Sequence, residues 1–288
     1  MTTALLLTYM TLLLAFSWAV RSGVLKFLLS HGVTGENYTG NRIPSSAGLL
    51  IWLTGGAGML CLRIWSAFGG GSDVAAYAVA YERFFLALTV VFWLGWTDDL
   101  IGDRRVKGLR GHLRAWMNDR SVSTGLMKAA GIGIVSLWFV LANGPASGWM
   151  PALVSWAVVT LCTNTLNLFD LRPGRAIKVF LAGCAVFAAC VPLSGQTEAW
   201  FHLAPVIAGA CALLPIDLRG RAMLGDTGAN VLGFALGSAI ALYGRPTAQI
   251  AAALILIGIT IAGERYSFTA LIERVPVLNW FDRLGRNR

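Results

Sequence analysis

Nine apolar runs separated by short polar connections decide what this chain can fold into. They cover about residues 3–20, 47–66, 77–97, 125–142, 149–167, 177–193, 200–215, 230–243 and 248–263. Crossing a bilayer takes about 20 mostly apolar residues per helix. Spanning segments must also satisfy their backbone groups internally, which leaves helices or closed barrels. Runs of this length read as helices, so the expected fold class is all-α: a polytopic membrane bundle of about nine transmembrane helices. Composition agrees, with 56% hydrophobic and 13% charged residues. That charged share is about half of what soluble domains carry. Residues 1–263 are read as one transmembrane catalytic bundle and 264–288 as a cytoplasmic tail. The tail has Phe268, Leu271, Ile272 and Val275 at helical spacing with Arg and Glu between them, as expected of an amphipathic segment at the interface.

Orientation follows from the basic residues, which concentrate in cytoplasmic connections. With the N-terminus outside, the inner connections fall near 21–46, 98–124, 168–178 and 216–229, together with the tail. Counting Lys128 and Lys178 at their span ends, these regions hold 20 of the 23 Lys and Arg, leaving Arg63, Arg83 and Arg245 outside. The net charge of +9 then serves as an anchor to an anionic leaflet. Scattered among short loops, these residues do not form a nucleic-acid surface. The first basic residue, Arg21, follows the first apolar run, as in a retained span rather than a cleaved leader. The five cysteines all lie in apolar runs without metal or disulfide spacing, and carry no chemistry.

Four polar motifs interrupt this pattern. "WTDDLIGDRR" places Asp98 and Asp99 side by side at the end of the third run. Adjacent carboxylates repel, and a divalent cation beside them removes that cost. The basic loop that follows, with Lys107 among its cations, makes a phosphate-attracting rim. "NTLNLFDLRPGR" closes the fifth run, with Asn164, Asn167 and Asp170 spaced by three on one broad helix face. Polar groups inside a span are functional candidates by default. The turn after them presents Arg172 and Arg175. "LGDTGAN" opens the eighth run: Asp226 sits between glycines, with Thr227 or Asn230 placed to cap the helix and N–H groups left for phosphate. "ENYTGNRIPSSAG", with Arg42, Ser45 and Ser46, reads as a tight loop re-entering the membrane, its polar groups available to a phosphate.

Taken singly, each motif has an ordinary explanation: a solvated interfacial charge, interhelical hydrogen bonding, a glycine-rich helix start, a turn. Parity puts all four on the cytoplasmic face. Converging carboxylates, cations and a helix N-terminus in one layer point to a magnesium–diphosphate site at the membrane surface, where a soluble donor meets a lipid acceptor.

In order and topology these motifs resemble the polyprenyl-phosphate N-acetylhexosamine-1-phosphate transferases (glycosyltransferase family 4), the group that includes the bacterial phospho-N-acetylmuramoyl-pentapeptide transferase. The resemblance runs from about Asn37 to Asp226. It implies a multi-pass enzyme of the cell membrane that moves a sugar 1-phosphate from a UDP-sugar to a polyprenyl phosphate such as undecaprenyl phosphate, with Mg2+ (or Mn2+), for cell-envelope glycan or glycolipid synthesis. The resemblance makes Asp98, Asp99 and Asp170 catalytic and Asp226 the metal ligand. It puts Asn167 and Lys107 on the substrates, where the motifs themselves add Asn164, Arg42, Arg172 and Arg175 as candidates. A homodimer stands beside a monomer as an open assembly.

Three departures mark a divergent member. The family commonly continues its second motif as D-G-L-D/N-G, whereas Asp170 is followed by "LRPGR". No histidine cluster stands in the last cytoplasmic segment, which argues against a pentapeptide-bearing substrate. The chain also stops where that enzyme would enter another span. The alternatives are a non-catalytic lipid- or nucleotide-sugar-binding relative on the same scaffold, which the altered turn supports, and a transporter. A transporter calls for mid-membrane charges and inverted halves, and the sequence has neither. Prenyl-transferring D-D-x-x-D chemistry fails because Gly102 holds the last position.

Overall fold

The computed structural model describes residues 2–69, 71–102, 123–143, 148–191 and 197–286. In chain order it contains α1 (Thr2–Ser30), a hairpin of β1 (Thr34–Glu36) and β2 (Arg42–Pro44), α2 (Leu49–Ala67), α3 (Gly71–Ile101), α4 (Thr124–Asn143), α5 (Trp149–Phe169), α6 (Arg175–Cys190), α7 (Thr197–Leu218), α8 (Gly225–Tyr243), α9 (Pro246–Arg265), α10 (Phe268–Arg274) and α11 (Pro276–Arg283). The nearly all-helical bundle expected from the apolar runs is present.

Among the described residues, seven helices, α1 to α5, α7 and α9, are long and apolar enough to cross a membrane. The sixth and eighth runs are helical but do not qualify. α6 has 16 residues, and α8 carries Asp226 and Asn230 in its first two turns. α8 is instead the centre of the bundle, buried almost continuously from Thr227 to Ala239. A helix enclosed on all sides belongs to a core. Phe234 of α8 lies between Phe84 of α3 and Phe139 of α4, with ring centroids 6.1 and 5.4 Å away. Outer helices expose Ile134, Leu141, Val186, Leu254 and Ile255. Water does not tolerate so many large apolar side chains on one surface, and lipid does.

Two boundaries differ from the sequence reading in ways that matter. α3 begins at Gly71 and continues through Ile101, so Asp98 and Asp99 belong to its last turns rather than to a connection. The loop between α1 and α2 is not merely a turn: β1 and β2 pair antiparallel, with Gly35 opposite Ile43. Beyond the hairpin the chain bonds to the segment before α8. Met223 N–H donates to Pro44 O at 2.9 Å, and Ala47 N–H to Met223 O at 2.9 Å. The start of α2 then crosses the start of α8 so closely that a Cβ on Gly48 would stand 2.2 Å from Gly228 Cα. Only two glycines permit that crossing.

Candidate active site

The site forms where the C-terminal ends of α3 and α5 meet the N-terminal ends of α4 and α8. Asp98 and Asp99 are consecutive on α3, about 100° apart around the helix, so they face different neighbours. Asp99 turns to α8. Its Oδ1 accepts the Asp226 N–H at 2.9 Å, and its Oδ2 accepts the Thr227 N–H at 3.0 Å and the Thr227 hydroxyl at 2.5 Å. The Ser46 hydroxyl donates to the same oxygen at 2.9 Å. Asp99 therefore caps α8 from another helix, meeting both the orphan N–H groups and the positive end of the dipole. The cap expected from Thr227 or Asn230 is replaced, and these two N–H groups are not open to a phosphate.

Local backbone serves this junction. Gly225 has φ +73°, and a Cβ there would come within 2.5 Å of Asp99 Oδ2, so the position admits no side chain. Ser46 is buried and holds φ 55°, an uncommon conformation for a residue with a Cβ.

Asp98 turns instead toward α4. Lys128 donates to Asp98 Oδ2 at 2.5 Å and also pairs with Asp226. One ammonium thus joins the ends of α3, α4 and α8, all three side chains being mostly withdrawn from solvent. Sequence reading treated Lys128 as a span-end lysine reaching for the interface. Its signal was its isolation, a single cation in the second turn of an otherwise apolar helix.

Next to this junction lies a cavity of about 380 Å³ whose walls include Asp99, Asp170, Asp217, Asp226, Arg172 and Tyr38. Asp170 terminates α5. Burial, then the nearby carboxylates of Asp217, Asp226 and Asp99, push its carboxyl well above the ordinary range against the Gly225 N–H. Asn167, one turn earlier, has a buried Oδ1 without a hydrogen-bond partner among the described residues. Asp217, at the end of α7, is buried and accepts the Gly174 N–H at 2.8 Å. It was not anticipated, since one acid at a span end looks like any interfacial charge.

The other sequence candidates are placed as follows. Arg172 is exposed on the cavity rim, 3.8 Å from Glu273. Arg42 is exposed and donates to Thr34 Oγ1 at 2.9 Å across the hairpin. Asn164 is exposed on α5, so the spacing-by-three face is split: Asn167 turns inward and Asn164 does not. Arg175 is buried against Asp282 at 2.7 Å rather than turned to the cavity. Its guanidinium is already taken by a carboxylate, which removes it from the group facing a substrate. Lys107 lies outside the described residues.

The arrangement gathers oxygen donors from elements far apart in sequence around one polar cavity. No three of the described acidic, His or Cys side chains close into a cage for a metal ion. The donor set fits a hard cation that completes its shell with water and phosphate oxygens, for which one or two carboxylates suffice. Asp98 and Asp226, drawn to one ammonium, are such a pair.

No curated protein matches the chain. The sequence profile of glycosyl transferase family 4 matches residues 83–245, a segment that holds Asp98, Asp99, Lys128, Asn167, Asp170 and Asp226. Because the match covers more than half of the chain and contains this junction, the chain belongs to glycosyl transferase family 4, a family of phospho-sugar transferases.

Proposed function

We propose that the chain transfers a sugar 1-phosphate, of the N-acetylhexosamine class, from a UDP-sugar to a polyprenyl phosphate and releases UMP. The reaction takes place on the cytoplasmic face of the cell membrane, for synthesis of envelope glycans or glycolipids. One observation carries the reading. Asp99, Asp170 and Asp226, from the ends of three separate helices, line one polar cavity, and Lys128 joins Asp98 to Asp226 beside it, in a chain whose family transfers phospho-sugars.

In the proposed reaction an oxygen of the lipid phosphate attacks the sugar-bearing phosphorus of the donor. The bond from that phosphorus to the UMP oxygen breaks, and its electron pair leaves with UMP. Asp98 is the residue assigned to the lipid phosphate, either taking its proton or fixing its orientation. Asp99 is the weaker candidate for that role, because four donors already hold its oxygens; it keeps α8 against α3. Asn167 and Asp170 face the nucleotide side, and Arg172 faces incoming phosphate at the rim. Mg2+, or Mn2+, held by Asp226 with Asp98 would neutralise the diphosphate. Catalysis of this type is mostly positioning and electrostatics.

The turn after Asp170 does not favour a non-catalytic relative, since Arg175 pairs with Asp282 instead of filling the cavity. The test supplies purified protein with undecaprenyl phosphate, Mg2+ and a panel of UDP-N-acetylhexosamines, reading the lipid product by mass spectrometry and UMP release. A mass increase of one sugar phosphate is expected. Binding of the lipid without product from any donor overturns the proposal.

A further inference from the structure

Three basic side chains converge on the C-terminal tail at the point where α6 begins. Arg175 grips both oxygens of Asp282, Nε to Oδ1 at 2.7 Å and Nη2 to Oδ2 at 3.0 Å. Arg286 forks onto the same carboxylate at 3.0 and 2.7 Å. Its Nε also donates to the Pro173 carbonyl at 2.7 Å. Lys178 donates to the carbonyls of Phe281, Asp282 and Leu284 at 2.8, 2.6 and 3.2 Å. A second tail helix joins through Thr269, whose hydroxyl accepts from Arg175 at 3.2 Å.

The two helices meet end to end, Asp282 held by the Arg175 side chain and Lys178 taking the last carbonyls of α11. A carboxylate stands at the positive N-terminal end of α6, and an ammonium stands at the negative C-terminal end of α11. Arg175 and Asp282 are both buried, whereas the neighbouring apolar side chains Val277 and Trp280 are exposed. α10 is attached by apolar packing, with Phe268 and Ile272 buried and Phe268 5.2 Å from Phe169 between ring centroids, whereas α11 is held by this polar clasp.

The clasp closes on one end of a turn whose other end is in the site. Asp170, Leu171, Arg172 and Pro173 all line the cavity, and Gly174 is tied to Asp217. We infer that residues 268–286 form a strap fastened at Asp282 that fixes the 170–175 turn and so positions the nucleotide-side wall of the cavity. Asp282 is a positioning residue, acting through Arg175 and the Pro173 carbonyl. The strap also gives the "LRPGR" turn a purpose: its second arginine is the anchor.

The consequence for donor binding rests on the proposed function, but the strap has a readout of its own. In D282A, limited proteolysis is expected to cleave the tail at least tenfold faster, and amide exchange in the 170–175 segment to speed up. D282E, which keeps the carboxylate, restores both. A chain ending at Val275 covers the case in which D282A does not fold, and is expected to show the same loosened turn. In transfer assays the donor KM rises about tenfold in D282A, while kcat and the KM for the lipid stay within threefold. A released tail with unchanged exchange at 170–175 overturns the strap. A loosened turn in a protein that transfers nothing with any donor upholds the strap and removes the reading of the site.

Discussion

Two ionic clusters share the short turn between α5 and α6, and they are charged in opposite senses. At one end Asp170 stands near Asp99, Asp217 and Asp226, and Lys128 pairs with Asp226 and Asp98. At the other end Arg175, Lys178 and Arg286 surround the single carboxylate of Asp282. The basic cluster is complete: its donors end on Asp282, a threonine hydroxyl or main-chain carbonyls. The acidic cluster is incomplete: the Asn167 oxygen has no partner among the described residues, and the Asp170 carboxyl, beside open space, is raised first by burial and then by the neighbouring carboxylates. Structural and functional charge clusters perturb their members alike. What separates them here is whether the protein supplies all the partners.

The largest effect should come from the incomplete cluster. Asp98→Asn should cut kcat by about 10²–10⁴-fold, the range for a lost proton-transfer group. Asp226→Asn should abolish transfer and weaken the metal dependence while the protein stays folded, with an unchanged size-exclusion profile. Near-normal activity in the Asp226 variant would take it out of the metal role. Near-normal activity in the Asp98 variant would return Asp99 to consideration despite its four donors.

Lys128→Gln asks whether the ammonium stands in for a cation. The variant should lose about 1–3 kcal/mol of stability in chelator, as charged hydrogen bonds disappear, and regain it in Mg2+. Mn2+ binding followed by electron paramagnetic resonance should tighten about tenfold, equivalent to about 1.4 kcal/mol. Unchanged affinity would separate Lys128 from the cation position.

A smaller change is expected from Asp99→Asn, which keeps the shape of the cap and removes its charge. Loss of a cap costs about 1–2 kcal/mol, so the thermal midpoint should fall and amide exchange at Asp226 and Thr227 should rise. A protein that loses activity without either change would give Asp99 a chemical role in place of the structural one.

These contrasts also show what was legible in the sequence. Hydrophobic run length located the helices, because burial of their backbone polar groups needs little tertiary context. The nine-run reading put the ends carrying Asp98, Asp170 and Asp226 in one layer, and those ends do meet in the structure, although only seven of the described helices are long and apolar enough to cross. Azimuth was not legible: whether Asp98 or Asp99 faces α8, or whether Asn164 turns outward, depends on packing between helices. The hairpin escaped because strands of three residues leave almost no periodic signal. Lys128 was read as an ordinary membrane-rim cation and Arg175 as a substrate contact, and their partners lie up to 107 residues away. That distance is invisible to local pattern, though an acid such as Asp282 in a basic tail is a hint in retrospect.

Acidity should move the two clusters in opposite directions. Burial alone would raise the Asp282 carboxyl, but its hydrogen bonds and charges from Arg175 and Arg286 hold it below the usual 3.8. A depressed carboxyl stabilises the fold above its unfolded value, and the contribution disappears as pH falls through the folded value. Asp170 is raised, so its relative contribution is present at low pH and is lost as pH rises through its folded value. At pH 7.5, therefore, Asp282→Asn should lower the thermal midpoint and Asp170→Asn should raise it. The Asp282 deficit should persist unchanged down to about pH 5, above the ordinary carboxylate range, and shrink only below that range. The Asp170 gain should instead diminish as soon as the native carboxyl takes up its proton. Midpoints of both variants and the parent, scanned from pH 8 to pH 3.5, measure this directly. Parallel curves would mean that the acidic cluster is as fully compensated as the clasp, and the distinction between an unfinished site and a finished strap would fail.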